Sequence, residues 1–361
     1  MKTFYTVVFL YLLLIISCKV DLPIDGIMEQ IPEKTTPYTL NIPNGFPDAI
    51  IPNDNPMTVE GVELGRMLFF DPILSGDSTL SCAGCHKPQF AFSDGGNQFS
   101  KGIAGMDGAR QTPTIINPMW LPSQFWDGRR TSLELQAIEP VKNPIEMNLP
   151  WDEVIKRLKR HSQYNLLFTN AFGTNEITPS LVTEAIAQFE RTLISSNSKY
   201  DKVLRGELFL DDPAPPMASE LRGFDIFFTE NGDCFHCHGT PALFTDNLFH
   251  NNGLDSIFSD LGLESFTGDS KDRAKFKTPT LRNIEFSAPY MHDGRFNTLE
   301  EVVNFYSGGL KFSATIDPLM KKIGQGGLQL NVQEKKDLVA FLKTFSDSSY
   351  LNNPAYLNPF K

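Results

Sequence analysis

Cysteine is scarce in this chain, with five among 361 residues, and four of the five fall in two short clusters. Nothing is left over to build a disulfide framework. Histidine is also sparse at six residues, and none lies between His86 and His161. Basic residues are outnumbered 32 to 43, giving a net charge of −11. That balance argues against a nucleic-acid partner and favours a cationic one. Alternating strand patterns are few, which leaves a mainly α protein with long loops. No apolar run after Ile16 is long enough to cross a bilayer. The apolar share is an ordinary 41%, so global disorder is excluded, and the length suits about two domains with their own cores.

The fifth cysteine is explained by the N-terminus. Lys2 precedes an apolar run from Phe4 to Ile16, and Ser17-Cys18 follows. A charged start, a short apolar stretch and a small residue before Cys make up an export signal. The pattern resembles a bacterial lipoprotein signal, with residues 1–17 removed and Cys18 lipidated; an ordinary signal cut elsewhere is the alternative. Either way the chain is expected on the periplasmic side, anchored to a membrane if Cys18 carries lipid. Residues 18–55, rich in Pro, Asn and Asp, read as a tether with little regular structure.

The two clusters are Cys82-Ala83-Gly84-Cys85-His86 and Cys234-Phe235-His236-Cys237-His238. C-x-x-C-H holds a c-type haem: two thioethers fix the porphyrin and the adjacent His binds the iron. Cys82, Cys85, Cys234 and Cys237 are therefore the expected attachment points of two covalent haems, with His86 and His238 as iron ligands.

Both motifs sit in a longer repeat. Val59-Glu60-Gly61-Val62-Glu63-Leu64-Gly65-Arg66-Met67-Leu68-Phe69-Phe70 precedes the first, and Glu220-Leu221-Arg222-Gly223-Phe224-Asp225-Ile226-Phe227-Phe228 the second. Ala91-Phe92-Ser93-Asp94 is echoed by Leu243-Phe244-Thr245-Asp246, and Thr112-Pro113-Thr114 by Thr278-Pro279-Thr280. Trp126-Asp127-Gly128-Arg129 is echoed by His292-Asp293-Gly294-Arg295. So long a period signals duplicated domains rather than a solenoid. Helices are expected over Val59–Phe70, from Trp151 to Leu158, from Pro179 to Leu193 behind a Thr178 cap, and from Val332 to Phe345, with Asn331 as cap and Glu334 at the third position.

What faces each iron on the side away from its His decides the chemistry, because two strong ligands make an electron carrier and a free position binds peroxide. No His lies near the first motif downstream, although Met106, Met119 and Met147 are available. Counting fourteen residues from Trp126 reaches Pro140, and fourteen from His292 reaches Tyr306. If the copies superpose, a ring that cannot ligate faces one iron and a phenol faces the other. Tyr306 can equally be a core tyrosine whose hydroxyl is satisfied by a neighbour.

The segment Phe125-Trp126-Asp127-Gly128-Arg129, Leu133-Glu134-Leu135-Gln136-Ala137, Pro140 and Asn143-Pro144-Ile145-Glu146-Met147 resembles the distal-pocket signature of bacterial di-haem cytochrome c peroxidases. Ala288-Pro289-Tyr290-Met291-His292-Asp293-Gly294 resembles their second-haem signature. The resemblance runs from about Val59 to Tyr306. It implies two tandem cytochrome c-like domains: a peroxidatic one over 56–205 and an electron-transfer one over 206–325, with a C-terminal helix and tail over 326–361 folding back on the first. It implies Glu146 as distal carboxylate, Gln136 as its pocket partner, Pro140 on the open side and Trp126 between the haems. It further implies calcium at Gln111, Ser287 and Pro289, where the family usually has Asn rather than Gln, and a homodimer. Two departures stand out. Respiratory members close the first haem with a His sixteen residues past the motif, where this chain has Gly102, and their second haem takes Met where Tyr306 stands. Both departures resemble the MauG-like subgroup.

Three functions fit these residues. The first is a peroxidase that reduces hydrogen peroxide with electrons from a small donor protein such as a monohaem cytochrome c. The second is a MauG-like oxidase of a partner protein's side chain, acting through a high-valent di-haem state. The third is a non-enzymatic di-haem electron carrier, which the missing distal His disfavours. His161, His236 and His250 read as ordinary polar residues, and His292 as a shaper of the second pocket.

Overall fold

The computed structural model describes residues 35–210 and 219–360. Cys18 and the export signal lie outside them. Thirteen helices are described: α1 (Val59–Phe70), α2 (Cys82–Cys85), α3 (Leu133–Lys142), α4 (Trp151–Arg160), α5 (Ser162–Phe172), α6 (Pro179–Arg191), α7 (Lys199–Leu204), α8 (Ser219–Phe227), α9 (Phe235–His238), α10 (Glu264–Thr267), α11 (Leu299–Gly308), α12 (Val332–Lys343) and α13 (Ser348–Leu351). The described sheet is a single two-residue antiparallel pair, Phe249–His250 with Phe276–Lys277. The fold is mainly α, and long loops join the helices.

The expected caps are in place. Thr178 Oγ1 accepts from the Leu181 N–H at 3.3 Å, and Asn331 with Glu334 forms a complete capping box on α12. Each satisfies backbone donors that a helix start leaves free.

The sequence repeat is a packing repeat. α1 lies against α6 in one core and α8 lies against α12 in the other. Both pairs close on a glycine: a Cβ on Gly65 would overlap the Ala185 carbonyl, and one on Gly223 the Asp337 carbonyl. Phe69 and Phe227 then occupy matching, fully buried positions. Two asparagines lock the exits of the partner helices. Asn117 and Asn283 both have left-handed backbones, at φ 53° and 54°. The Asn117 N–H donates to the Leu193 carbonyl at 3.0 Å, and its Oδ1 accepts from the Ser195 N–H at 2.9 Å. The Asn283 N–H donates to the Phe345 carbonyl at 3.1 Å, and its Oδ1 accepts from the Asp347 N–H at 2.6 Å.

Three boundaries differ from the sequence expectation. Residues 35–55 have little regular structure but are not a free tether: Phe46 packs at a tilt on Trp120, whose indole N–H donates to the Asp48 carbonyl at 3.0 Å. Burial of Phe46, Leu40 and Ile42 against Met119, Trp120 and Leu243 fixes this strap across both halves. α7, expected in the first domain, belongs to the second core: Tyr200 packs on Phe224, Phe244, Phe341 and Phe345. Asp201 there accepts a two-pronged bond from Arg282, both arms 2.8 Å. α12 also belongs to the second core, as the counterpart of α6, whereas the tail beyond it brings Tyr350 and Tyr356 into the first.

The glycine contacts yield a prediction. Gly65→Ala and Gly223→Ala should each destabilise the protein by about 1–3 kcal/mol, the usual cost of overpacking. Gly308→Ala, where a Cβ meets nothing within 4 Å, should be neutral or slightly stabilising. Denaturant unfolding of the three variants checks this, and equal stability across them would contradict the close-packed helix pairs.

Candidate active site

A single cavity of about 1200 Å³ runs through both halves, and all six residues Cys82, Cys85, His86, Cys234, Cys237 and His238 line it. The imidazoles are held alike. His86 Nδ1 bonds the Phe92 carbonyl at 2.7 Å, and His238 Nδ1 bonds the Phe244 carbonyl at 3.0 Å. Both phenylalanines are left-handed, at φ 58° and 50°, a costly state for a bulky residue that recurs at both sites. With Nδ1–H donated to a carbonyl, Nε2 is the free lone pair, as an iron-ligating His requires. Burial lowers both pKa values, which keeps the rings neutral. Burial also pushes all four thiols up, Cys85 to about 11 and Cys234 and Cys237 to about 12. Burial thus keeps all four protonated at neutral pH.

On the first side, α3 starts at Ser132, whose hydroxyl accepts from the Leu135 N–H at 3.2 Å, and it carries Gln136 and Pro140 to the cavity wall. Pro140 has no N–H, so the Gln136 carbonyl loses its usual helical partner. The chain then turns back: the Met147 N–H donates to the Pro140 carbonyl at 3.2 Å, which brings Glu146 into the same wall. Asn143 Nδ2 donates to Glu146 Oε1 at 2.7 Å. Burial raises the Glu146 pKa despite that bond and the Arg129 charge. Gly102 packs its backbone against this turn. A Cβ there would overlap the Ile145 carbonyl, and the Ile103 N–H donates to the Glu146 carbonyl at 3.0 Å. Position 102 therefore has no room for any side chain. Of the three methionines, Met106 is exposed, Met119 packs in a separate cluster, and Met147 lines the wall from within the first core.

On the second side, α11 starts with a full Thr298–Glu301 capping box and carries Tyr306 to the cavity. Asn252 Nδ2 donates to the Tyr306 hydroxyl at 3.0 Å and lies 3.6 Å from Met291 Sδ. Burial pushes the phenol up to about 12, and the Asn252 bond opposes that rise. The hydroxyl thus has a neighbour, as a core tyrosine requires, and it also faces the space beside Cys234 and Cys237. No motif pointed to Asn252.

Trp126 sits on the seam. Its indole N–H donates to the Gln111 carbonyl at 2.8 Å, and its own carbonyl accepts from the Lys277 N–H at 2.8 Å. The Gln111 N–H crosses to the His292 carbonyl at 2.8 Å, while Gln111 Nε2 donates to Ser93 Oγ at 3.1 Å. Gln111, Ser287 and Pro289 all line the cavity. His292 stacks on Phe276 at 3.7 Å, and His250 lies between Asp246 and Asp317 at 2.8 and 2.6 Å.

Sequence reasoning missed Glu190. It lies on α6 within a helical apolar pattern, lines the cavity, and its Oε2 has no hydrogen-bond partner. Burial first, and the Glu134 charge last, raise its pKa to about 8, against the lowering by Arg191. A raised folded pKa contributes stability that is full below the unfolded value and is lost as pH climbs through the folded one. Wild type should therefore lose stability relative to Glu190→Gln as pH rises from 4.5 towards 8. Thermal melts across that range test it, and parallel curves would show that Glu190 is not held protonated.

Residues 59–208 match the family model described as di-haem cytochrome c peroxidase. The chain is 40% identical over 296 residues to the methylamine utilization protein MauG of Methylorubrum extorquens, covering 81% of this chain and 80% of that one. It is 36% identical over 299 residues to the cytochrome c551 peroxidase of Nitrosomonas europaea, covering 81% of each. The crystal structure of a MauG-like protein associated with microbial copper homeostasis superposes with a TM-score of 0.81 at 35% identity, over 90% of this chain and all (100%) of that one. The family carries two haem groups, and the lining of the cavity by both C-x-x-C-H motifs fits them. With the duplicated core, the paired imidazoles and these relatives, the chain belongs to the di-haem cytochrome c peroxidase family and is an oxidoreductase of that type.

Proposed function

We propose that this protein reduces hydrogen peroxide at the His86 site with electrons that enter through the His238 site. The reading is carried by one asymmetry: Pro140 and Tyr306 hold equivalent places in the repeat and both face the cavity. Haem attached at Cys82/Cys85 and Cys234/Cys237 would be held by His86 and by His238 with Tyr306, and would supply redox-active iron. Pro140 offers no ligating atom. Glu146 Oε1 is anchored by Asn143, so Oε2 is the oxygen that takes a proton from one peroxide oxygen and returns it to the other. With two electrons and two protons, the peroxide leaves as two waters. Gln136 orients it beside Glu146. Trp126 gives electrons a route across the seam between the two halves.

The donor is a small basic protein such as a monohaem cytochrome c, matched to the net charge of −11. Tyr306, in place of the respiratory methionine, favours a second reading: oxidation of a partner protein's side chain. Calcium at the seam would take oxygen atoms from Gln111, Ser287 and Pro289; Gln111 spends its amide N–H on Ser93, which leaves its Oε1 for a cation. Export with a lipid on Cys18 would hold the protein on the periplasmic side.

Glu146→Gln should slow the reaction with peroxide by roughly 10²–10⁴-fold, the usual worth of a positioned proton carrier. Because burial raises the Glu146 pKa, the wild-type rate should fall as pH drops through a value above the ordinary 4.5, and the variant should lack that limb. Stopped-flow rates against pH decide it. Mixing fully oxidised protein with peroxide should also change the Soret band without prior reduction, and Tyr306→Phe should alter the second haem's absorption. An inert Soret band would refute the open first site.

A further inference from the structure

The turn that opens the second attachment loop carries a cluster at the cavity that the proposed peroxide reduction does not use. His236 lies between Cys234 and Cys237 on α9. Its Nε2 stands 3.0 Å from Asp233 Oδ1 and 3.3 Å from Glu230 Oε1, and one ligand atom from each of the three residues falls within 4.8 Å of the others. The Asp233 side chain is only 8% exposed, and its Oδ1 accepts no hydrogen bond. A buried carboxylate oxygen without a donor is costly. The backbone fixes it there: Asp233 is left-handed at φ 55°, and its N–H donates to the Thr229 carbonyl at 2.8 Å.

Lys321 Nζ occupies the gap, 2.8 Å from Glu230 Oε2, 2.9 Å from His236 Nε2 and 3.6 Å from Asp233 Oδ1. The ammonium thus lies against both carboxylates and the imidazole together. The three side chains are already arranged around a cation. That cation rides on a flexible stem with 42% of its side chain exposed, free to swing out.

We propose that Glu230, Asp233 and His236 form a binding site for a divalent transition cation of the Zn²⁺ or Cu²⁺ class, which takes the place of the Lys321 ammonium. One imidazole nitrogen with two carboxylates suits these ions better than Ca²⁺ or Mg²⁺, whose shells are built from oxygen. Three protein ligands leave a position for water. The neighbouring Asp246–His250–Asp317 group is not equivalent, because carboxylates engage both His250 nitrogens. Only the consequence for the second haem rests on the proposed function: positive charge beside its attachment loop raises its reduction potential.

Calorimetric titration of Zn²⁺ into the full chain with both haems attached tests the site. Wild type should take up one saturable equivalent. His236→Gln and Asp233→Asn should each weaken it by roughly tenfold or more, and Lys321→Met should tighten it by about tenfold. Cu²⁺ should give an EPR signal with coupling to one imidazole nitrogen, lost in His236→Gln. The haem absorption of each variant shows that it has folded. No saturable equivalent in wild type and Lys321→Met alike, or unchanged affinity in His236→Gln, would overturn the proposal, whatever the outcome with peroxide.

Discussion

Each C-x-x-C-H imidazole is pinned through Nδ1 by the carbonyl of a phenylalanine six residues on, and the molecule is organised around the Nε2 this leaves free. The pin works because the phenylalanine adopts a left-handed backbone and its ring is fully buried in the core. Strain at that residue is offset by aromatic packing: Phe92 against Phe69 and Tyr350, Phe244 against Tyr200 and Phe345. The two cores therefore orient the imidazoles as well as stabilise the fold. Close helix pairing through Gly65 and Gly223 sets where those aromatic rings sit.

Duplication supplies two such centres, and local substitution makes them different. On the first side a proline and a turned-back carboxylate line the wall, and a glycine packs behind their turn. On the second, a tyrosine reaches the wall with an amide on its hydroxyl. The same framework holds both, so the chemical contrast comes from few residues. Trp126 and Gln111 join the halves through backbone bonds to Lys277 and His292. The strap over 35–55 and the tail beyond α12 add cross-links, and Arg282 with Asp201 closes the second core from within.

Charge is handled by burial as much as by pairing. The thiols and imidazoles are neutral because ionising them would cost solvation. Glu146 and Glu190 are raised for the same reason, yet only Glu146 stands in a turn that presents it beside Gln136 and Pro140. Glu230, Asp233 and His236 are handled by pairing, with a lysine set against all three.

Much was legible in the sequence because it is encoded by spacing. Both haem motifs, the repeat, the caps at Thr178 and Asn331, and the matched places of Pro140 and Tyr306 depend on residues near one another in the chain or at fixed offsets. Tertiary structure alone decided what spacing does not carry. Asn252 meets Tyr306 across 54 residues, and Tyr350 reaches the Ile115 carbonyl across 235. Likewise Glu190 is hidden in an apolar helical pattern until α6 turns it to the cavity, and the supposed tether becomes a strap only when Trp120 is there to receive Phe46. The reason is physical: local geometry follows from backbone sterics and hydrogen bonds within a few residues, whereas these meetings exist only once two cores have closed and brought distant loops to one wall.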